Sequence, residues 1–167
     1  MSFNWESVDM SENESQPVKK YKSFKYRTAI AWTGARNARI SSEGKPDLQV
    51  SSPPEFNGEA GKWTPEDMFV AALNNCTMST FLAFAERKGL PLVAYSCDAE
   101  GILEFTEGSY RFTQVMLKPR VSVKSSEHIE AAKALMESAH KKCLIANSIR
   151  SEILMDTEVL AADEAFS

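Results

Sequence analysis

One stretch, TPEDMFVAALNNCTMSTFLAFAERKG from Thr64 to Gly89, constrains this chain more than any other. Thr64 is a helix-capping residue type and Pro65 suits the first helical position. Glu66 and Asp67 place negative charge where the helix dipole favours it. At the far end Arg87 and Lys88 fall in the last turn, Gly89 is free to take a left-handed cap, and Pro91 stops continuation. A helix between those signals is about 36 Å long at 1.5 Å per residue. It is apolar nearly all round, which predicts burial on every side rather than on one face. Cys76 falls near its middle, with Phe69, Ala72, Leu73, Thr80 and Ala83 on the same face by helical spacing.

A chain of 167 residues makes one domain and buries a core without disulfides or metals. The net charge is −4, and the densest basic spot, Lys19, Lys20 and Lys22, is too small for a nucleic-acid surface. Residues 1–22 are polar and aperiodic and read as an arm ahead of a domain over residues 23–167. That arm has no apolar run, so it is not a secretory signal. The long helix has the length of a membrane span, but Asn74, Asn75, Thr77, Ser79 and Thr80 interrupt it. A cytoplasmic protein, off the membrane, is expected. Three cysteines, Cys76, Cys97 and Cys143, are an odd number for a disulfide framework and leave redox chemistry open.

Along the chain, Lys25 to Thr33 alternates as a strand does, and Gly34 to Asn37 reads as a turn. Ala38 to Ser42 and Leu48 to Ser51 follow as short strands. Ser51 to Trp63, with Pro53, Pro54, Gly58 and Gly61, reads as a loop long enough to serve as a lid. Beyond the long helix, Tyr95 to Phe105 and Arg111 to Lys124 form a hairpin turning at Glu107-Gly108-Ser109. Ser125 or Ser126 is placed to cap a second helix carrying Ile129, Ala132, Leu135, Met136 and Ala139 on one face. A short helical turn over Leu144 to Arg150 and one last strand, Glu152 to Val159, complete the order. The class is α+β, with antiparallel sheets wrapped around two helices. So few elements cannot cover a helix apolar on all sides, so a symmetric dimer, each protomer's sheet covering the other's helix, is expected.

Free cysteine is among the most buried residue types, so Cys76, Cys97 and Cys143 each read singly as small core residues. Cys76 and Cys143 lie in helical segments that are expected to pack together, and two facing thiols can close a disulfide. Reactivity demands a thiolate, and burial opposes one. A mid-helix position gains little from the dipole, so a nearby cation, best an arginine held by an acidic partner, is expected. His140 stands three before Cys143 with no second Cys/His cluster, so neither a metal nor a cofactor is expected.

The stretches TGARNARISSEGKPDLQVSSPPEF, TPEDMFVAALNNC and AHKKCLIANSI, in that order, resemble the OsmC/Ohr family of osmotically inducible and organic hydroperoxide resistance proteins. The resemblance spans about residues 25–160. It implies an OsmC-like fold, an intertwined homodimer and a thiol peroxidase acting on organic hydroperoxides. Residue by residue, Cys76 matches the peroxidatic cysteine, Cys143 the resolving cysteine, Glu66 the helix-start glutamate and Arg36 the arginine, with Arg39 as its alternative. Met68, Phe69, Phe56 and Trp63 would line the substrate pocket; Phe81 reads as core. A dithiol would be the reductant, with a lipoylated protein as its candidate carrier. Asn74, Asn75, Thr77 and Leu144 depart from the family pattern. Glu66 and Cys76 are ten positions apart, about 15 Å along one helix. The Glu66 and Arg36 serving one Cys76 are therefore expected from the other protomer. Two alternatives remain open: a non-catalytic binder of a lipophilic ligand, and a redox sensor of the same fold.

Overall fold

The computed structural model describes residues 22–162. The polar arm lies outside these residues, apart from its final position. Three strands open the described chain: β1 (Ala29–Gly34), β2 (Asn37–Ser41) and β3 (Leu48–Ser51) pair antiparallel in sequence order. β1 starts at Ala29, later than the alternation from Lys25 suggests. Ala29 pairs with Ser41, where β2 ends, and the chain then turns, Lys45 N donating to Ser42 O at 3.1 Å. The residues before Ala29 thus have no strand beside them within this sheet. At the other end of β1, Gly34 and Ala35 both have positive φ, 123° and 46°, which makes the tight turn into β2.

The long helix α1 runs Pro65–Lys88, with the predicted signals at both ends. Thr64 Oγ1 accepts from Asp67 N at 3.1 Å, and the Asp67 carboxylate accepts from Thr64 N at 3.0 Å, a reciprocal capping box. Gly89 takes the left-handed cap at φ 64°. Its burial corrects an expectation. Within one chain the helix is buried along a single stripe, Leu73, Thr77, Phe81 and Ala85, rather than on all sides. The stripe repeats every four residues, because among the described residues α1 packs mainly against the second helix and the following sheet. By length and apolar content alone α1 also suits a membrane span.

Two long strands follow, β4 (Leu92–Thr106) and β5 (Ser109–Val123), joined by a two-residue turn in which Glu107 and Gly108 have φ 53° and 83°. The second helix, α2 (Ile129–Lys142), begins later than a serine cap predicts. A 3-10 turn, Ser126–His128, precedes it, and Ser125 Oγ donates to Glu127 Oε1 at 3.0 Å rather than to a helix end. The single last strand predicted over Glu152 to Val159 is two: β6 (Glu152–Met155) and β7 (Glu158–Ala161). Both run parallel to β5, so the second sheet is mixed, not wholly antiparallel. The reason is the crossover: the chain leaves β5, passes through α2 and returns on the free edge of β5 in the same direction. Asp156 N, in the break, donates to Leu117 O at 2.9 Å and keeps both short strands on that edge.

The core has two lobes. Phe81 and Ala85 of α1 meet Ala132, Met136 and Ala139 of α2 over Val121 and Val123 of β5. Nearer the start of α1, Leu73 packs with Val115, Leu117 and Cys143. Burial of each large side chain here contributes about 1.5–3 kcal/mol. The first sheet is different: Ile30 and Trp32 on β1 stay 69% and 77% exposed. The observed α+β fold therefore leaves two apolar surfaces uncovered in one chain, the far faces of α1 and the first sheet.

Candidate functional site

The lower core lobe, the one around Leu73 nearer the start of α1, brings two of the three thiols together. α1 carries Cys76 beside its buried stripe, half-buried, while α2 ends at Cys143, which is fully buried. After Cys143 the chain makes a tight turn with a 3-10 segment, Ala146–Ser148, in which Asn147 N donates to Cys143 O at 3.1 Å and Ser148 N to Ile145 O at 2.9 Å. This turn aims its amides at sulfur. Ile145 N donates to Cys76 Sγ at 3.5 Å, and Ala146 N to Cys143 Sγ at 3.5 Å. Thr77 Oγ1, on α1, donates to Cys143 Sγ at 3.7 Å.

The two thiols are polarised in opposite directions. Burial raises the Cys76 pKa, but the Ile145 amide, the Cys143 thiol and the Leu144 amide together outweigh it, and the net direction is below a thiol's ordinary value. Thr80 lies close enough to add to this, although its hydroxyl proton goes to Cys76 O at 2.8 Å, which limits its share. For Cys143 burial again comes first and raises the pKa. The Ala146 amide and Thr77 oppose it, the neighbouring Cys76 sulfur reinforces it, and the net direction is upward. A lowered thiol beside a raised one is a nucleophile with a proton-bearing neighbour.

The cation expected from sequence is not among the groups of the described residues that act on the Cys76 sulfur. Arg36 is exposed in the turn between β1 and β2, where its carbonyl accepts from Ser51 Oγ and Ser52 N, both at 3.3 Å. Arg39 pairs with Asp47 at 3.4 Å on the surface. Glu66, in the first turn of α1, lines two adjoining cavities, of about 660 Å³ and 360 Å³, away from the same chain's thiol pair. Its Oε2 is buried and has no hydrogen-bond partner among the described residues.

The residues expected to contact substrate divide between places. Phe56 lines the larger cavity, edge-on to Tyr110 at 5.9 Å, and Trp63 lines the smaller one with Asn74 and Gly101. Phe69 stacks on Phe112 at 4.5 Å and packs against the lobe that holds Cys143. Met68 is half-buried on α1 and lies outside both cavities. Gly101 leaves room for its neighbours, since a Cβ there would lie 2.7 Å from side-chain atoms of Val70 and Phe112, which would have to shift.

Two contributors escaped the sequence reading. Backbone amides of residues 144–146 have no side-chain signature, and nothing in the sequence marks them. Thr77 was read as a polar interruption of the helix and a departure from the family pattern, not as a group at the thiols; its four-residue spacing from Leu73 places it on the buried stripe. Cys97, on β4, also packs against the lower lobe, where burial pushes its thiol up. Lys141 and Lys142 are exposed at the end of α2. Among the described residues no three His, Cys, Asp or Glu side chains are placed to hold a metal.

Comparison with known proteins adds four observations. The family model described as OsmC-like protein matches residues 58–158. The uncharacterized protein YmaD of Bacillus subtilis is 28% identical over 131 residues, 76% of this chain and 87% of that protein. An organic hydroperoxide resistance protein of Xanthomonas axonopodis pv. citri is also 28% identical, over 77% of this chain and 89% of its own. Among solved structures, an OsmC-like protein of unknown function from Vibrio cholerae superposes with a TM-score of 0.74 at 25% identity, covering 81% of this chain and 99% of that one.

Proposed function

Since the chain belongs to the OsmC-like protein family, which includes organic hydroperoxide resistance proteins, we propose that it is a thiol peroxidase that reduces organic hydroperoxides to alcohols. The observation that carries this reading is one turn whose amides face both sulfurs, Ile145 N at 3.5 Å from Cys76 Sγ and Ala146 N at 3.5 Å from Cys143 Sγ. Cys76 thiolate attacks the terminal hydroperoxide oxygen, the O–O bond breaks, and the alcohol leaves after taking a proton. Cys76 is then a sulfenic acid. Cys143 attacks its sulfur, water leaves, and an intrachain disulfide remains. A dithiol, of which a dihydrolipoyl group on a carrier protein is one source, returns both thiols by exchange. A reducing cytoplasm suits such a cycle.

The working unit in this proposal is a homodimer. Three observations support it: the uncovered faces of α1, the exposed Ile30 and Trp32, and Glu66 Oε2, buried and without a hydrogen-bond partner among the described residues. Arg36 and Glu66 of one protomer would complete the Cys76 site of its partner, the guanidinium bridging carboxylate and sulfur. The apolar walls of Phe56, Trp63 and Phe112 would then favour an organic peroxide over hydrogen peroxide.

A second reading, a binder of a lipophilic ligand, draws on the cavity of about 660 Å³ at the head of α1. One equivalent of cumene hydroperoxide separates the two. The peroxidase loses two thiols per chain and gains no oxygen; the binder keeps its thiols. A redox sensor would oxidise but not turn over. Steady-state turnover with cumene hydroperoxide and dihydrolipoamide, in the intact protein, Cys76→Ser and Cys143→Ser, is the direct test. Absent turnover in the intact protein rejects the reading.

A further inference from the structure

Thr77 is fully buried, one position from Cys76, and faces the other thiol. A threonine inside a helix ordinarily returns its hydroxyl proton to the carbonyl four residues back. Thr80 does so, to Cys76 O at 2.8 Å, whereas Thr77 donates to Cys143 Sγ at 3.7 Å. Cys143 is itself fully buried, so its anion lacks water and depends on the donors built around it. Those donors are the Thr77 hydroxyl from α1 and the Ala146 amide from the turn, at 3.5 Å. Lys141 and Lys142, its charged neighbours in sequence, are exposed at the end of α2.

We propose that Thr77 is the positioning residue for the resolving step, holding the Cys143 sulfur toward Cys76 and stabilising it as it becomes the attacking anion. The proposal rests on the peroxide-reducing cycle above. In that step Cys143 gives up its proton and its sulfur supplies the electron pair of the new S–S bond. The S–O bond of Cys76 sulfenic acid breaks, and its electron pair leaves with hydroxide, which takes the released proton as water. The sulfenic sulfur is reduced and the Cys143 sulfur oxidised, so no outside reagent enters. A hydroxyl donor shortens this step by raising the fraction of Cys143 present as thiolate. The gain is partial, because each tenfold loss of thiolate leaves an anion about threefold more nucleophilic.

The experiment has two arms, each with Thr77→Val and Thr77→Ser beside the parent. In the first, Cys76→Ser and Cys97→Ser leave Cys143 as the one thiol, and its ionisation is followed by thiolate ultraviolet absorbance against pH. Thr77→Val should move the midpoint up and Thr77→Ser should restore it. In the second, the chain with Cys76 and Cys143 intact receives one equivalent of cumene hydroperoxide, and disulfide formation is timed across pH. Thr77→Val should resolve about threefold more slowly for each tenfold loss of thiolate, with the deficit closing at high pH. An unmoved midpoint, a serine variant as impaired as valine, or a deficit equal at every pH overturns the proposal. If the parent Cys76 does not react with peroxide, the peroxidase reading fails, and with it the proposed resolving step. The first arm then reports only whether the hydroxyl acts on the sulfur.

Discussion

Ile145 points its backbone N–H at the sulfur of Cys76, 3.5 Å away and 69 positions earlier in the chain. The residue that ends α2, Cys143, thus brings with it the turn that stabilises the thiolate on α1. Thiol, partner thiol and amide donors come from one junction, and each depends on how α2 packs against α1.

The pair should titrate in a fixed order. A thiol is anionic above its pKa; Cys76 lies below the ordinary value and Cys143 above it. Iodoacetamide with peptide mapping, run across pH, should therefore label Cys76 first as pH rises. Cys143→Ala should move the Cys76 midpoint up by removing a donor, and Cys143→Ser should move it less. Equal labelling at every pH contradicts this.

Removing one amide should be enough to weaken the nucleophile. Ile145 has φ −67°, which proline tolerates, so Ile145→Pro deletes the N–H with little change at that φ. A hydrogen bond to a charged group is worth about 1.5–3 kcal/mol, so the Cys76 midpoint should rise and its alkylation at neutral pH fall roughly tenfold. Ile145→Val, which keeps the N–H, is the control.

The proposed sharing of the site between protomers predicts a complementation pattern. Cys76→Ser and Arg36→Ala chains, each inactive alone, should recover about a quarter of the parental activity when dimers reassort at random. Half of such dimers are mixed, and each mixed dimer regains one of two sites. No recovery in dimers shown to be mixed rules the sharing out.

Stability should follow the lobes and not the surface. Phe81 is fully buried between α1, α2 and β5, so Phe81→Ala should cost about 3–5 kcal/mol in urea unfolding. Leu144 is 74% exposed beside the thiols, and Leu144→Ala should stay within about 0.5 kcal/mol. A large loss at Leu144 would mean that a partner surface covers it.

Elements whose limits are set by neighbours in sequence were legible before the fold. Thr64, Asp67 and Gly89 bound α1 where the capping rules put them, and Glu107-Gly108 turns the hairpin. Elements whose limits depend on a distant partner were not. β1 is short because β2 ends at Ser41, and the last strand is split because two separate stretches of β5 accept it. At the site, Cys76 and Cys143 were legible as residue types in a family-like order, and the structure sets both sulfurs against one turn.

What the amino-acid order determined by itself is therefore local: helix caps, turn residues, apolar spacing and the two thiols. Each of these acts through atoms a few residues apart, so side-chain identity carries the information. Only the tertiary structure decided which donors face the sulfurs, which side of α1 is covered, and that β6 and β7 run parallel to β5. A backbone amide is the same in nearly every residue, so its role at Cys76 exists only once packing has aimed it.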